Sequence, residues 1–282
     1  MKSLREVIKD AREKGVAVAH FNVSDSTQLH GVVEVADELK LPVIIGVSEG
    51  EAKFIGRRFL AAMVKEYQRQ GKPVYLNADH THDLQGIQES IDAGFDAVII
   101  DGAKLPLEEN IKLTRDAVAL ARNSGRDVLV EAELGFIGEG SKMLDSAPIG
   151  LEKTNPEVAA RFVRETGIDM FAPAVGNIHG VIAGGVNPHL DIPLIQAVIA
   201  ACDVPLVLHG GSGTPDEDFV QAVQAGIAIV HINTEIRIAY RKGTEAALQA
   251  DPKEVAPAKY LGKGKDAMKE VVRARMKLFA RM

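Results

Sequence analysis

Short, almost wholly apolar runs recur along the chain, each followed by a segment whose apolar positions have helical spacing. The runs read GVAVAHFN, LPVIIGVS, KPVYLNADH, FDAVIIDG, RDVLVEAELG, IDMFAPAVGN, VPLVLHGG and IAIVHINT. Segments such as TQLHGVVEVADELK and LEENIKLTRDAVALARNSG lie between them. Strands that are apolar at successive positions, rather than alternate ones, are covered on both faces, as in a parallel sheet flanked by helices. Several helical segments stop at a glycine, as in DAGFD and NSGRD, before the next run begins. Eight such units over roughly 250 residues predict an α/β fold, a (β/α)8 TIM barrel with its active site at the C-terminal ends of the strands. An open doubly wound sheet is the alternative, but no GxGxxG follows a strand. No Pro/Gly/Ser linker divides the chain, so residues 1–282 are expected to form one domain.

Composition narrows the function classes. The chain has 282 residues, 46% of them hydrophobic, which is enough for one large core. A net charge of −6 with no dense Lys/Arg run excludes a nucleic-acid footprint and a basic membrane patch. The C-terminal KEVVRARMKLFARM reads as an amphipathic helix with a solvated basic face. The single cysteine, Cys202, has no partner for an intrachain disulfide and is expected to be buried. The N-terminal MKSLREVIKDAREKG reads as a charged helix rather than a signal peptide, and no apolar run approaches ~18 residues. A soluble, cytoplasmic protein is expected.

The ends of the apolar runs carry the candidate chemistry. They present Asn22, Ser48, Asp79-His80, Asp101, Glu131 and Glu133, Asn177 and His179, His209, and finally His231, Asn233 and Thr234. Four of the eight histidines therefore lie on one rim beside several carboxylates. Neutral imidazoles converging with one position left open are what a catalytic zinc site needs. GNIHG (176–180) and HGGSG (209–213) bring backbone amides close to an anion, and barrels commonly bind phosphate after strands seven and eight. Ser212 and Thr234 add hydroxyls. A metal beside a phosphate pocket suits C–C cleavage next to a carbonyl, where the carbanion is stabilised by a Lewis acid or by a lysine Schiff base. No run ends in a lysine; Lys104 lies just beyond the fourth, on the rim. The metal route is favoured.

The stretches NADHTHD, DGAKLPLEENI, VEAELG, GNIHG and VPLVLHGGSG occur in this order. In them the chain resembles, nearly end to end, the class II metal-dependent ketose-bisphosphate aldolases, which act on fructose or tagatose bisphosphate. The resemblance implies zinc, or another divalent metal such as Co2+ or Mn2+, bound by His80, His179 and His209. Asp101 and Glu133 would lie near the metal and its alternative position. Asp79 would be the acid/base carboxylate at the hydroxyl of the bond being broken. Asn22 and Ser48 would contact substrate, and Gly180, Gly210, Ser212, Asn233 and Thr234 would cradle the phosphate of dihydroxyacetone phosphate, with Na+ or K+ nearby. Phosphorylated ketoses and triose phosphates would be the ligands, in a homodimer or homotetramer.

The chain departs from the family pattern twice. The loop after the fifth run usually reads ELGxxGGxED, with an acidic residue that moves the enediolate proton; here it reads ELGFIGEGSKMLD, leaving Glu139, or Asp145, for that role. The eighth run usually ends in xNVxT, but VHINTE puts His231 at the asparagine's place. His231 is then a substrate contact, a support for a metal ligand, or a fourth ligand. Two other readings remain: a noncatalytic barrel homologue, or a related aldolase or epimerase acting on another ketose. The stretch GFIGEGSKMLDSAPIGLEKTNPE has no periodic apolar face and reads as a functional or mobile loop.

Overall fold

The structure is a computed structural model, and it describes residues 1–138, 140–149 and 151–282. The eight runs form eight parallel strands: β1 (Val18–Asn22), β2 (Val43–Val47), β3 (Val74–Thr81), β4 (Ala97–Ile100), β5 (Leu129–Leu134), β7 (Met170–Pro173), β9 (Leu206–Leu208) and β10 (Ile227–Ile232). They close into a barrel in the order β1-β10-β9-β7-β5-β4-β3-β2. Helices α2 (Ser26–Leu39), α3 (Glu49–Ile55), α4 (Arg57–Arg69), α5 (Leu84–Ala93), α6 (Leu107–Asn123), α7 (Pro156–Thr166), α8 (Ile192–Ala201), α9 (Asp216–Ala225) and α10 (Thr234–Ala250) follow the strands in turn. Two further helices flank them, α1 (Leu4–Lys14) before β1 and α11 (Pro257–Phe279) after α10.

The strands are buried on both faces, and alternation sorts their residues into two cores. Outward positions such as Ala19, Phe21 and Val230 pack beneath the helices in the larger core. Inward positions near the N-terminal ends, among them Val18, Tyr75, Leu129, Val207 and Ile229, meet Leu4, Val7, Ile8 and Ala11 of α1. Helix α1 therefore plugs the bottom of the barrel. Its first turn is fixed by a capping box in which the Ser3 hydroxyl accepts from the Glu6 amide and the Glu6 carboxylate accepts from the Ser3 amide.

One expectation gains detail and one is corrected. The stretch after β5 contains a short strand, β6 (Met143–Leu144), paired in parallel with β8 (Val181–Ile182), so it is tied to the segment that follows His179. The basic face of α11 is not simply solvated. Lys265 and Lys269 pair with Glu34, Arg273 with Glu38, and Arg275 with Glu235 and Asp216, fastening α11 to its neighbours. Cys202 is buried as expected. No helix among the described residues is long and apolar enough to cross a membrane.

Candidate active site

Going up the inside of each strand, apolar residues give way to polar ones. On β1 the inward set is Val18, His20 and Asn22; on β3 it is Tyr75, Asn77 and Asp79; on β5 it is Leu129, Glu131 and Glu133. These polar groups are all buried. The mouth of the barrel is thus a deep polar floor on an apolar base.

One residue breaks the alternation. His80 follows the inward Asp79 and by parity would point outward. The register of β3 against β4 shifts between Ala78 and Thr81, and His80 has a left-handed backbone with φ 48°. A bulge at a strand end re-aims a side chain at some cost in strain. Here it brings two consecutive residues, Asp79 and His80, into the same site.

His80, Glu133, His179 and His209 each offer a ligand atom, all within 4.8 Å of one another. The Nε2 of His80 and the Nδ1 of His209 approach to 3.3 Å. Tetrahedral ligands on a ~2.1 Å zinc–nitrogen bond lie about 3.4 Å apart. The other nitrogen of each ring is occupied. His80 Nδ1 meets Asp101 at 2.9 Å, His209 Nε2 meets Glu131 at 2.6 Å, and His179 Nδ1 meets the Gly138 carbonyl at 3.0 Å. Such outer partners fix the tautomer and leave one lone pair for a metal. The donor set fits a divalent cation.

Charge points the same way. Burial works against a proton on His80, but Asp79, Glu133 and Asp101 override it and push its pKa well above the ordinary value. His209 is likewise raised against burial by Glu133 and Glu131. Burial raises Asp79, yet His80 and His231 hold it well below the usual carboxylate range. Burial drives His179 down to about 4. Converging buried carboxylates call for positive charge, as protons or as a metal.

The sequence-derived residues are largely brought together. Asn22, Asp79, His80, His179, Gly180, His209, Gly210, Ser212, His231, Asn233 and Thr234 line one small, deep recess. A wider cavity of about 390 Å³ opens above it, bordered by Ser48, Asp101, Glu133, His82, Lys104 and Arg237. Asp101 stands behind His80, on the far side of its ring from His209, and is not in the converging group. His231 lies deeper than a rim position, stacked on His209 at 4.1 Å with Nδ1 3.5 Å from Asp79. Ser212 Oγ accepts from the amides of Asn233 and Glu235 at the start of α10. Glu139 lies outside the described residues.

Three contributors were not named from the sequence as site residues. His20 stacks under His231; its signal was the alternation back from Asn22 along β1. Glu131, noted only as a strand-end carboxylate, holds His209. Glu51 on α3 contacts Asn22 and Ser48, and nothing local in the sequence distinguishes it from an ordinary helix-start glutamate.

Residues 2–282 match the family model described as fructose-bisphosphate aldolase class-II. The chain belongs to the class-II fructose-bisphosphate aldolase family. It is an aldolase, a carbon–carbon lyase of a metal-dependent family. It is 37% identical over 281 residues to the "Probable fructose-bisphosphate aldolase" of Bacillus subtilis strain 168, covering 98% of this chain and 96% of the relative. It is 36% identical over the same span to a fructose-bisphosphate aldolase of Staphylococcus aureus strain Mu50. Among solved structures, the YdjI aldolase of Escherichia coli K12 superposes with a TM-score of 0.81 at 32% identity, covering 99% of this chain and 96% of that one. The noncatalytic reading is set aside by this family membership.

Proposed function

We propose that this aldolase reversibly cleaves a ketose 1,6-bisphosphate, with fructose 1,6-bisphosphate favoured, into dihydroxyacetone phosphate and glyceraldehyde 3-phosphate at a zinc ion. The observation that carries the reading is the convergence of His80, His179 and His209 with Glu133 within 4.8 Å, while Asp101, the Gly138 carbonyl and Glu131 each engage one nitrogen of the three rings. When bound, the metal would supply Lewis-acid polarisation of the ketose carbonyl.

The residues around it have separate tasks. Asp79, buried and held in its ionised form, takes the proton of the C4 hydroxyl as the C3–C4 bond breaks. Asn22 holds Asp79 Oδ2 with a 2.8 Å hydrogen bond. Asp101 and Glu131 orient the rings of His80 and His209. Gly180, Gly210, Ser212, Asn233 and Thr234 line the recess suited to the triose phosphate end, where the N-terminus of α10 favours an anion and Na+ or K+ would balance charge. The wider cavity takes the aldehyde end, with Ser48 on its wall. Glu133, inside the converging group, would hold the metal in an alternative position, whereas Asp101 would act on it only through His80. Glu139 is the proton carrier at the enediolate carbon. The chain acts as one unit over 1–282, in a cytoplasmic homodimer or homotetramer.

A coupled cleavage assay tests this against fructose 1,6-bisphosphate and tagatose 1,6-bisphosphate, with and without chelator. The expected result is chelator-sensitive cleavage restored by zinc, faster with the fructose isomer. Preference for tagatose 1,6-bisphosphate would move the substrate to the C4 epimer. Chelator-resistant cleavage with borohydride trapping of substrate on a lysine would overturn the metal mechanism.

A further inference from the structure

Glu51 has a local explanation that is incomplete. It is the third residue of α3, and its carboxylate accepts the backbone N–H of Ser48 at 2.8 Å, making a capping box. A capping box works at a helix surface and requires neither burial nor a counter-charge. Glu51 has both. It is 6% exposed and forms an ion pair with Arg237 of α10, which also donates to the Ser141 carbonyl.

Its Oε2 accepts from three donors: the Ser48 amide and hydroxyl, both at 2.8 Å, and the Asn22 side-chain amide at 2.9 Å. The same Asn22 nitrogen donates to Asp79 Oδ2 at 2.8 Å. A carboxamide nitrogen carries two hydrogens. Both are directed at carboxylates, so the amide is held nitrogen-first toward two acids. If it turned over, its oxygen would face Asp79 and repel it. Glu51 therefore fixes which way Asn22 points, and Asn22 in turn bonds the oxygen of Asp79 that His231 does not approach.

We propose that Glu51, its charge countered by Arg237, is a positioning residue for carbon–carbon cleavage: through Asn22 it aims the Asp79 carboxylate at the substrate hydroxyl. The inference rests on Asp79 being the proton carrier at C4. It separates two proton transfers, because exchange of the dihydroxyacetone phosphate proton is assigned to a different carboxylate.

The test compares Glu51→Ala, Glu51→Gln and Glu51→Asp in the metal-loaded enzyme. Three quantities are read: cleavage of fructose 1,6-bisphosphate, deuterium exchange into dihydroxyacetone phosphate, and metal content. Glu51→Ala is expected to lower kcat for cleavage by about 10- to 100-fold, with KM within about threefold, since a misplacement near 1 Å costs up to that much. Exchange and metal content should stay near wild type. Glu51→Gln keeps an acceptor for Asn22 and should recover most of the rate. Glu51→Asp keeps the charge but retracts from Asn22; it should show the same selective loss, several-fold in size, even where the alanine variant does not fold. Parallel loss of cleavage, exchange and metal would mark a purely structural role and overturn the proposal, as would an unchanged kcat. Asp79→Asn, measured alongside, tells the two failures apart. If it selectively slows cleavage and the Glu51 variants do not, positioning by Glu51 is wrong and Asp79 stands. If it spares cleavage, the assignment of Asp79 itself is wrong.

Discussion

His20 and His231 stack face to face, with ring centroids 3.5 Å apart and planes within 2° of parallel. They are register partners on adjacent parallel strands, both directed into the barrel. Gly46 makes this possible: a Cβ there would lie 2.1 Å from the His20 ring. Burial brings the His20 pKa down to about 4, and burial together with His20 and His209 drives His231 well below its ordinary value. Both rings are therefore neutral at pH 7.

The stack makes stability sensitive to acid. The folded pKa of His20 is depressed, so between pH 6.5 and about 4 the unfolded chain binds a proton that the folded chain does not. Stability from this residue is intact above 6.5 and falls as pH drops through that window. In His20→Gln the slope of unfolding free energy against pH should be shallower by up to about one proton there. Urea unfolding of metal-free protein at pH 7, 6 and 5 measures it; identical slopes would show that His20 titrates normally.

Metal affinity should separate His179 from His231. His231 lies outside the group formed by His80, Glu133, His179 and His209, and its Nδ1 faces Asp79. His231→Asn should keep affinity within a few-fold, whereas His179→Ala, removing a ligand, should lose more than ~100-fold. Competition with a chelating dye reads both. Comparable losses in the two variants would make His231 a ligand.

Asp79→Ala should lower kcat by roughly 10²–10⁴-fold, the usual worth of a positioned acid/base group. Metal content should stay near wild type, because Asp79 lies outside the group formed by His80, Glu133, His179 and His209. Loss of metal by this variant would reassign Asp79 to supporting the ligands.

Gly210 serves close approach as well as any phosphate contact. Its φ is 60°, and a Cβ would lie 2.3 Å from the carbonyl oxygen of Ile178, next to His179. Gly210→Ala should cost about 1–3 kcal/mol in stability and weaken metal binding, since it forces the His179 and His209 segments apart. Gly184→Ala is the control, with φ 67° but nothing within 4 Å of the new Cβ. It should cost about 1–2 kcal/mol and leave metal affinity unchanged. Equal metal affinity in the two alanine variants would show that the ligands tolerate the shift.

The sequence by itself determined the barrel and the ring of polar residues at its mouth. Each strand is a contiguous apolar run with helical spacing on either side, and burial on both faces follows from that pattern alone. The polar residue at the end of each run could be read too, because four histidines beside several carboxylates at the ends of apolar runs are more than helix caps require. Where the signal was two residues back, as with His20, it was hidden inside the apolar run.

Only the tertiary structure decided what those residues do to one another. The stack of His20 on His231 depends on the β1–β10 register, and the inward turn of His80 depends on a bulge in β3. The tautomers of His80, His179 and His209 are set by Asp101, Gly138 and Glu131, which lie between 21 and 78 residues away. Glu51 meets Arg237 across 186 residues. Hydrophobic spacing is a local property of a chain, whereas hydrogen-bond partners in a closed barrel are chosen by strand order and register. That is why the site's composition was legible in the sequence and its wiring was not.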